Sequence, residues 1–518
     1  MRQPGAHLYD IKGRPMKSDG TRWLAVFFWF TSVFAGEPVA QTGHFEECPN
    51  QPVTAVTLCA APAQGQQAPS LPTPKDVGDP TVLGQGIQRT MALLKTSTSQ
   101  QPNTVRILFY GQSITEQNWW KTVGDDLQRR YPHANLIIEN RALGGFASQR
   151  LVKTAETDLY PFYPDLMIFH VLGSHLEYEN VIRRTRERTT AEILMQTDHV
   201  TADANLTEET DPSKLFPTSL TWNSFMNYRF LPETARKYGC GLVDQRNLWK
   251  KYLRDNHLAA PRLLSDEVHL NDHGDFLMAE LVKAYMISRP DEQLDPLHCD
   301  SVKTFQVDKD IGWEGGKLLL PFDGNRVDVI LRQGGGTPAG ILIDGKRPSE
   351  FPELYGFTRA LAKPGGKWPV VTNLKFAKPP ILEEWTMQVK QDPADEQVFT
   401  FALTGSRTGP DGEGRSDQRF VSHSGRVVLE PENWDVAYAL ELAGVKAMPA
   451  EFTVSWQVTP FFADTVEPVG TTAPSVEMAV TVAQGLTGFH HTLEIFGGPD
   501  TRIAAVRVYK PPLLIKRD

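Results

Sequence analysis

Cysteine is scarce in this chain: there are 4 in 518 residues, and none forms a Cys-x-x-Cys pair. The sequence therefore gives no indication of a dithiol redox centre or a cysteine-based zinc site. Cys48 and Cys59 lie close together in a proline-rich stretch, which predicts a local disulfide if the chain is exported to an oxidising compartment. Cys240 and Cys299 are far apart, and the sequence leaves open whether they pair or are buried singly.

Clustered positive charge is also lacking. Lys and Arg number 53 against 62 Asp and Glu, a formal net charge of -9, and the one dense basic run, residues 183–188, is interpreted as a solvated helix face. Nucleic acid is not an expected partner, because a phosphate backbone attracts clustered Lys and Arg. The glycine-rich run at 333–336 lacks a following Lys-Ser/Thr pair, which argues against a phosphate-binding loop. No metal and no organic cofactor is predicted.

Long apolar runs are confined to the N-terminus. Residues 23–35 are predominantly apolar and follow Lys17 and Arg22, which is the layout of a secretory signal peptide. We predict a cleavable signal within residues 1–40, with Met16 as the true start, and hence a secreted or periplasmic protein without stable membrane insertion. An uncleaved membrane anchor is the alternative. No other run has the length and apolarity of a transmembrane helix.

The rest of the chain divides by its sequence pattern into three segments. Residues 41–100, rich in Pro, Gln, Thr and Ala, are predicted to be a leader or wrapping segment. Residues 101–300 alternate strand-like runs with helical patterns, which predicts an α/β fold, a parallel sheet covered by helices on both faces. Residues 301–518 contain short strand-like runs separated by Gly, Pro and Asp, which predicts an all-β sandwich or jelly roll. The predicted strands include 105–110, 136–140, 166–171, 191–196 and 241–244, then 327–331, 340–345, 452–456 and 503–509.

A serine follows the first predicted strand directly. The segment Tyr110-Gly111-Gln112-Ser113 lies between that strand and the next helix, and Gly111 permits a sharp turn. Ser113 is then expected at a helix N-terminus, where free N–H groups favour a developing oxyanion. Alone, the pattern also fits an ordinary helix cap.

An acidic residue and a histidine follow the fifth predicted strand. In Asp266-Glu267-Val268-His269, the carboxylate can hold the imidazole by its Nδ1 and leave Nε2 facing a serine. Since the carboxyl ends of parallel strands meet at one edge of a sheet, we expect Ser113, His269 and Asp266 to form a catalytic triad there.

Three blocks of this sequence resemble those of the SGNH/GDSL hydrolases, and the resemblance covers roughly residues 104–290. Gly111-Gln112-Ser113 is similar to the family's first block, whose serine is the nucleophile. Asn140-Arg141-Ala142-Leu143-Gly144-Gly145 is similar to the second, in which a glycine N–H donates to the oxyanion; the alignment favours Gly145. Asp266 and His269 are similar to the fifth block, which supplies the acid and the base.

The resemblance implies a flavodoxin-like α/β sheet and a serine esterase whose oxyanion hole contains the N–H groups of Ser113 and Gly145. Gln112 is similar to the residue found in the sialate O-acetylesterase and plant acetylxylan esterase-like branches. The third block departs from the family pattern, because His175 stands where the family has an asparagine that completes the hole. Three alternatives follow: His175 donates an N–H, the hole uses two backbone donors, or the alignment slips locally.

Four further residues are candidates for contact with substrate: Gln112, Trp119, Glu177 and His199. A buried structural role for Trp119 and a loop-capping role for His199 are the alternatives. The predicted partner is an acylated carbohydrate, with O-acetyl groups favoured, or another small ester. A lipolytic or short-chain acyl esterase is one alternative function, and a non-catalytic glycan-binding protein that retains the fold is another.

Overall fold

The computed structural model describes residues 71–218, 221–292, 294–468, 470 and 477–513. The predicted signal peptide, the first part of the predicted leader segment and the cysteines Cys48 and Cys59 lie outside the described residues. Within them, Cys240 and Cys299 are half-buried and unpaired. None of the described helices is both long and apolar enough to cross a bilayer.

A five-stranded parallel sheet forms the first part of the structure, with strand order β2-β1-β3-β4-β5. This is the flavodoxin-like order, so the predicted α/β fold class is confirmed. The strands are β1 Thr104–Gly111, β2 Asn135–Asn140, β3 Leu166–His170, β4 Glu192–Gln196 and β5 Gly241–Val243. The helices are α1 Gln88–Thr96, α2 Ser113–Glu116, α3 Trp119–Arg130, α4 Ser148–Asp158, α5 His175–Arg188, α6 Trp222–Phe225, α7 Leu231–Tyr238, α8 Gln245–Asp255 and α9 Asp272–Tyr285, with a π-helical turn, Met226–Phe230, between α6 and α7.

Helices cover both faces of this sheet because alternate residues of each strand point to opposite sides. Ile107 and Phe109 of β1 pack with α1, α3, α8 and α9 on one face. Leu108 and Tyr110 pack with α4, α5 and α7 on the other face. Strands buried on both sides read as continuous apolar runs, which is why the sequence pattern located them.

Residues after 300 form antiparallel sheets. The elements are β6 Val302–Gln306, β7 Trp313–Glu314, β8 Lys317–Asp323, β9 Arg326–Leu331, β10 Ala339–Ile343, β11 Tyr355–Phe357, β12 Ala360–Lys363, β13 Pro369–Val371, β14 Glu384–Asp392, β15 Asp395–Gly405, β16 Gly409–Arg415, β17 Phe420–Val421, β18 Val428–Leu429, α10 Val436–Leu442, β19 Glu451–Pro460, β20 Thr465–Val466, β21 Met478–Gln484, β22 His490–Phe496 and β23 Ile503–Tyr509.

Two of these sheets, β20-β10-β22-β8-β7 and β21-β9-β23-β6, share one apolar core and form a sandwich. The predicted β-sandwich is thus confirmed. The sandwich is interrupted by residues 355–460, which build a separate sheet, β13-β12-β19-β14-β15-β16 with β11 against β19, and have a core of their own that includes α10. We call residues 355–460 the inserted sheet.

Both β-rich units pack on the α/β part through specific polar contacts. The Tyr163 hydroxyl donates to Asn325 Oδ1 of the sandwich at 2.8 Å. The Arg359 guanidinium of the inserted sheet binds both carboxylate oxygens of Asp158, at 2.9 and 3.1 Å. Burial raises the pKa of Asp158, and the charge of Arg359 opposes this rise. Arg150 of α4 forms a further ion pair with Asp435, immediately before α10.

Candidate active site

Ser113 lies where β1 ends and α2 begins. The preceding Gly111 allows no side chain: a Cβ there would lie 2.1 Å from the carbonyl oxygen of His170 on β3. Because the two strands are paired at this point, the chain passes through a position that only glycine fits. Gln112 is extended, and its carbonyl accepts the N–H groups of Thr115 and Glu116, which starts the helix at Ser113.

His269 connects Ser113 to Asp266. Its Nε2 lies 2.9 Å from Ser113 Oγ, and its Nδ1 lies 2.7 Å from Asp266 Oδ2. Because a carboxylate only accepts, Nδ1 carries the proton, and in the neutral ring Nε2 is then free to accept the serine proton. The structure thus brings together the three residues of the predicted triad in an arrangement that can deprotonate a hydroxyl.

The loop that carries Asp266 and His269 is held by its own carboxylate. Asp266 Oδ1 accepts the backbone N–H groups of Val268 and His269, each at 2.7 Å. Partial burial raises the pKa of Asp266, but these two bonds and the His269 ring outweigh that effect and lower the pKa to about 2. The carboxylate is therefore charged at any pH at which the imidazole could act as a base.

His199 does not line the mouth of the site, contrary to the prediction that it contacts substrate. Its side chain is buried, with the residue 3% exposed, and its Nε2 lies 2.7 Å from the carbonyl oxygen of Val268. A carbonyl only accepts, so the His199 ring donates this hydrogen bond and thereby holds the loop between Asp266 and His269. Burial lowers the pKa of His199 well below its ordinary value of 6.5, with a contribution from His170, so the ring is neutral at neutral pH.

A buried polar network supports His199. Arg246 Nη1 donates to the His199 carbonyl at 2.9 Å, and the same guanidinium binds both carboxylate oxygens of Glu208. Nearby, His170 Nε2 lies 3.2 Å from Asp198 Oδ1 at the carboxyl ends of β3 and β4. Sequence reasoning missed this network, because its members are scattered along the chain and none belongs to a motif.

Gly145 lies in a tight turn beside the serine. Leu143 N–H donates to the Gly111 carbonyl at 2.9 Å, and Gly145 adopts a φ of +80°. A Cβ on Gly144 would lie 3.6 Å from Ser113 Cβ, so this turn packs directly against the serine. Among the described residues, none accepts a hydrogen bond from the N–H groups of Ser113 or Gly145. Neither N–H is therefore engaged within the described chain, which leaves both as candidate oxyanion donors.

The inserted sheet reaches the same turn. Trp368 Nε1 donates to the Gly144 carbonyl at 2.7 Å, and the Tyr438 hydroxyl donates to the Gly145 carbonyl at 2.7 Å. Leu442 covers Gly145, since a Cβ there would lie 2.8 Å from Leu442 Cδ2. No motif in the sequence points to these residues, which lie more than two hundred positions after the turn.

His175 is the first residue of α5, and its ring packs among aromatic side chains. The ring centroids of Trp222, Phe225 and Phe230 lie 5.3, 5.9 and 5.5 Å from it. Its Nδ1 is buried and has no partner among the described residues. No hydrogen bond joins His175 to Ser113 or Gly145 in the described chain.

The three other predicted substrate contacts, Trp119, Gln112 and Glu177, lie in different surroundings. Trp119 is 1% exposed, packs edge-on against Phe109 and donates to the Ile114 carbonyl at 2.7 Å. It is part of the core, and the predicted sugar contact is wrong because no ring face is accessible. Gln112 is half-buried beside Ser113, and Glu177 lies in the first turn of α5, where its carboxylate accepts from Asn180.

Comparison with known proteins finds solved structures of low sequence identity to this chain. No protein-family model and no curated protein matches the chain. It is similar to the crystal structure of Axe2, an acetylxylan esterase from Geobacillus stearothermophilus, at 18% identity and a TM-score of 0.30, covering 36% of this chain and 96% of that one. A putative GDSL-like lipase from Parabacteroides merdae gives 19% and 0.29, covering 35% and 95%. An acetyl xylan esterase, AlAXEase, gives 20% and 0.29, covering 35% and 100%.

Among the described residues, no three His, Cys, Asp or Glu side chains converge in a way that could hold a metal ion.

Proposed function

We propose that this protein is a serine esterase of the SGNH/GDSL type, with Ser113 as nucleophile, His269 as base and Asp266 as the residue that orients the base. The observation that carries the proposal is the His269 ring, which contacts Ser113 Oγ at 2.9 Å and Asp266 Oδ2 at 2.7 Å. A serine hydroxyl needs both a base and an orienting group to become a nucleophile, and this ring connects the two.

The proposed reaction proceeds by acyl transfer. His269 takes the proton of Ser113 as its Oγ attacks the ester carbonyl, and the N–H groups of Ser113 and Gly145 stabilise the oxyanion. His269 then gives the proton to the leaving alcohol, which departs and leaves an acyl-enzyme. Finally His269 activates water, which releases the acid and regenerates Ser113.

For the oxyanion hole we favour two backbone donors over a third donor from His175. The packing of the His175 ring among three aromatic rings supports this choice. Removal of an oxyanion donor costs about 10²–10³ in kcat. We expect His175→Ala to lower kcat by less than tenfold. If kcat fell a hundredfold or more while the thermal unfolding midpoint stayed unchanged, His175 would be a third oxyanion donor.

As substrate we propose an acetylated carbohydrate. The side chains of His269 and Asp266 are 40% and 56% exposed, which suits a large substrate that approaches from solvent. A groove of about 610 Å³ lies between the α/β part and the inserted sheet, with Ala142 in its lining. Glu116, Lys121, Arg141, Arg359 and Lys367 line it, and such charged side chains suit sugar hydroxyls better than a long acyl chain.

The test is acetate release from a panel of acetylated glycans, with Ser113→Ala as the control. Release by the wild type and none by the variant is the expected result. A chain-length series of p-nitrophenyl esters separates a deacetylase from a lipolytic enzyme, because activity that peaks above butyrate contradicts the acetyl assignment. Absence of hydrolysis for every ester, with no labelling of Ser113 by a fluorophosphonate, would leave a glycan-binding protein instead.

Secretion belongs to the same proposal. An acetylated polysaccharide is met outside the cytoplasm, and residues 1–40 have the layout of a cleavable signal. N-terminal sequencing of the exported protein tests this point, since a mature N-terminus upstream of residue 35 contradicts it.

A further inference from the structure

We infer that Trp368, contributed by the inserted sheet, is a positioning residue of the oxyanion hole. This inference rests on the proposed function, in which the Gly145 N–H is an oxyanion donor. The indole N–H of Trp368 donates to the Gly144 carbonyl at 2.7 Å. The Gly144 carbonyl and the Gly145 N–H belong to the same peptide unit, so a bond to one group acts directly on the other.

The planarity of the peptide makes this coupling rigid. The C=O and N–H of a trans peptide are fixed in one plane and point in opposite directions. When Trp368 fixes the direction of the Gly144 carbonyl, it also fixes the direction of the Gly145 N–H, which points away from the indole. A donor into the carbonyl polarises the amide too, and a polarised amide is a stronger N–H donor.

This turn needs an external restraint. It contains Gly144 and Gly145 in succession, and glycine restricts its own backbone dihedrals less than any other residue. Tyr438 fixes the following peptide unit, because its hydroxyl donates to the Gly145 carbonyl at 2.7 Å. Both peptide units that flank Gly145 are therefore held by side chains of the inserted sheet.

Trp368 and Tyr438 are themselves firmly placed. The Trp368 ring packs against both the α/β core and the core of the inserted sheet. Tyr438 stacks on Phe146 with ring centroids 6.2 Å apart, and the Arg150 guanidinium lies 3.8 Å from the Tyr438 ring centroid. The inserted sheet thus supplies a fixed support for the turn at Gly144 and Gly145, which we call the donor turn, in addition to an interdomain contact.

The clean perturbation is 3-benzothienylalanine at position 368, which keeps the shape of the bicyclic ring and replaces the N–H with sulfur. We expect kcat for an acetyl ester to fall about tenfold, the worth of one net hydrogen bond, while KM stays within about twofold and the thermal unfolding midpoint is unchanged. Trp368→Phe should follow the same trend. Inactivation by a fluorophosphonate, whose adduct carries an oxygen in the hole, should slow by the same factor as kcat/KM.

Trp434 provides the matched control. It also belongs to the inserted sheet, but its Nε1 has no partner among the described residues. The same analogue at position 434 should leave kcat unchanged. A readout that does not depend on catalysis is amide hydrogen exchange in the segment 143–147, which should accelerate in the 368 variant and not in the 434 variant.

The outcomes separate this inference from the proposed function. If the wild type hydrolyses esters and the 368 variant retains full kcat with unchanged exchange at 143–147, Trp368 only packs the interface and the inference is wrong. If the 368 variant and the 434 control lose stability and kcat to the same extent, the inference is wrong as well. If the wild type neither hydrolyses esters nor is labelled at Ser113, the proposed function fails first, and faster exchange at 143–147 would still establish the restraint.

Discussion

Replacement of Asp266 by Asn isolates the role of this carboxylate with little change to the fold. Oδ1 of Asp266 accepts two backbone N–H groups, and Oδ2 faces His269 Nδ1 at 2.7 Å. Because both backbone groups are donors, the oxygen of Asn stays with them and its NH₂ turns toward Nδ1. The imidazole must then accept at Nδ1 and carry its proton on Nε2, which lies 2.9 Å from Ser113 Oγ. A protonated Nε2 cannot act as a base.

We expect kcat to fall about 10⁴-fold, as is typical when the tautomer of a triad histidine is inverted. This corresponds to a rise of about 5.5 kcal/mol in the activation free energy. The assay is release of p-nitrophenol from the acetate ester at pH 7.5, with burst kinetics to count active sites. The thermal unfolding midpoint should stay within about 2 °C of the wild type, since the exposed loop keeps both backbone bonds.

The chain offers a matched control for this variant. Asp295 and His298 form a similar carboxylate–imidazole pair at the same spacing, with Asp295 Oδ1 accepting the Leu297 N–H at 2.9 Å and Oδ2 lying 2.9 Å from His298 Nδ1. Asp295→Asn therefore makes the same chemical change away from the serine and should leave kcat unaltered. If Asp266→Asn retained more than a tenth of wild-type kcat while Ser113→Ala was inactive, the orientation of His269 by Asp266 would be refuted.

Further predictions concern three residues, Gly145, His199 and Trp119. Gly145→Ala places a side chain at a φ of +80° and 2.8 Å from Leu442, so we expect kcat to fall at least a hundredfold. A second substitution, Leu442→Ala, should not fully restore kcat, because the backbone strain at position 145 persists. His199→Phe leaves the buried Val268 carbonyl without its donor and should lower the free energy of unfolding by about 1–3 kcal/mol in urea titrations. Because burial lowers the pKa of His199 in the folded state, the wild type should lose stability as pH falls below about 6.5, and the variant should lack that part of the slope. Trp119→Ala should lower the free energy of unfolding by about 3–5 kcal/mol and leave KM unchanged. A raised KM at unchanged stability would instead support the sugar contact that the structure contradicts.

The elements of the α/β part could be predicted because their signals are local. The strand predicted at 105–110 is β1 Thr104–Gly111, and the one at 241–244 is β5 Gly241–Val243. A doubly buried strand is a continuous apolar run, and a parallel sheet brings the residues after each strand to one edge. The position of Ser113 follows from these two facts. That of His269, 156 positions later, does not, because α8 Gln245–Asp255 lies between β5 and the loop that carries it.

The sequence could not predict which side chains are buried or which distant segments pack together. His199 follows a predicted strand much as Ser113 does, and Trp119 comes a few residues after Ser113, but the structure buries both side chains. No periodic pattern separates a side chain at the mouth of a site from one just below it. The contacts of Trp368 and Tyr438 with Gly144 and Gly145 join distant segments through single hydrogen bonds, for which the sequence contains no motif.

The dependence of the donor turn on the inserted sheet has a consequence for how the protein matures. A nascent chain contains all five strands of the α/β sheet and the three residues of the proposed triad once Tyr285 has been synthesised. The last strand of the inserted sheet, β19, ends at Pro460 and follows on the order of 10 s later at ordinary elongation rates. During that interval the proposed triad exists without the support of its oxyanion hole. On the proposed function, full hydrolytic power is acquired only once the inserted sheet has formed, and a product truncated before α10 lacks β19 of that sheet and, with it, the support of the turn at Gly144 and Gly145.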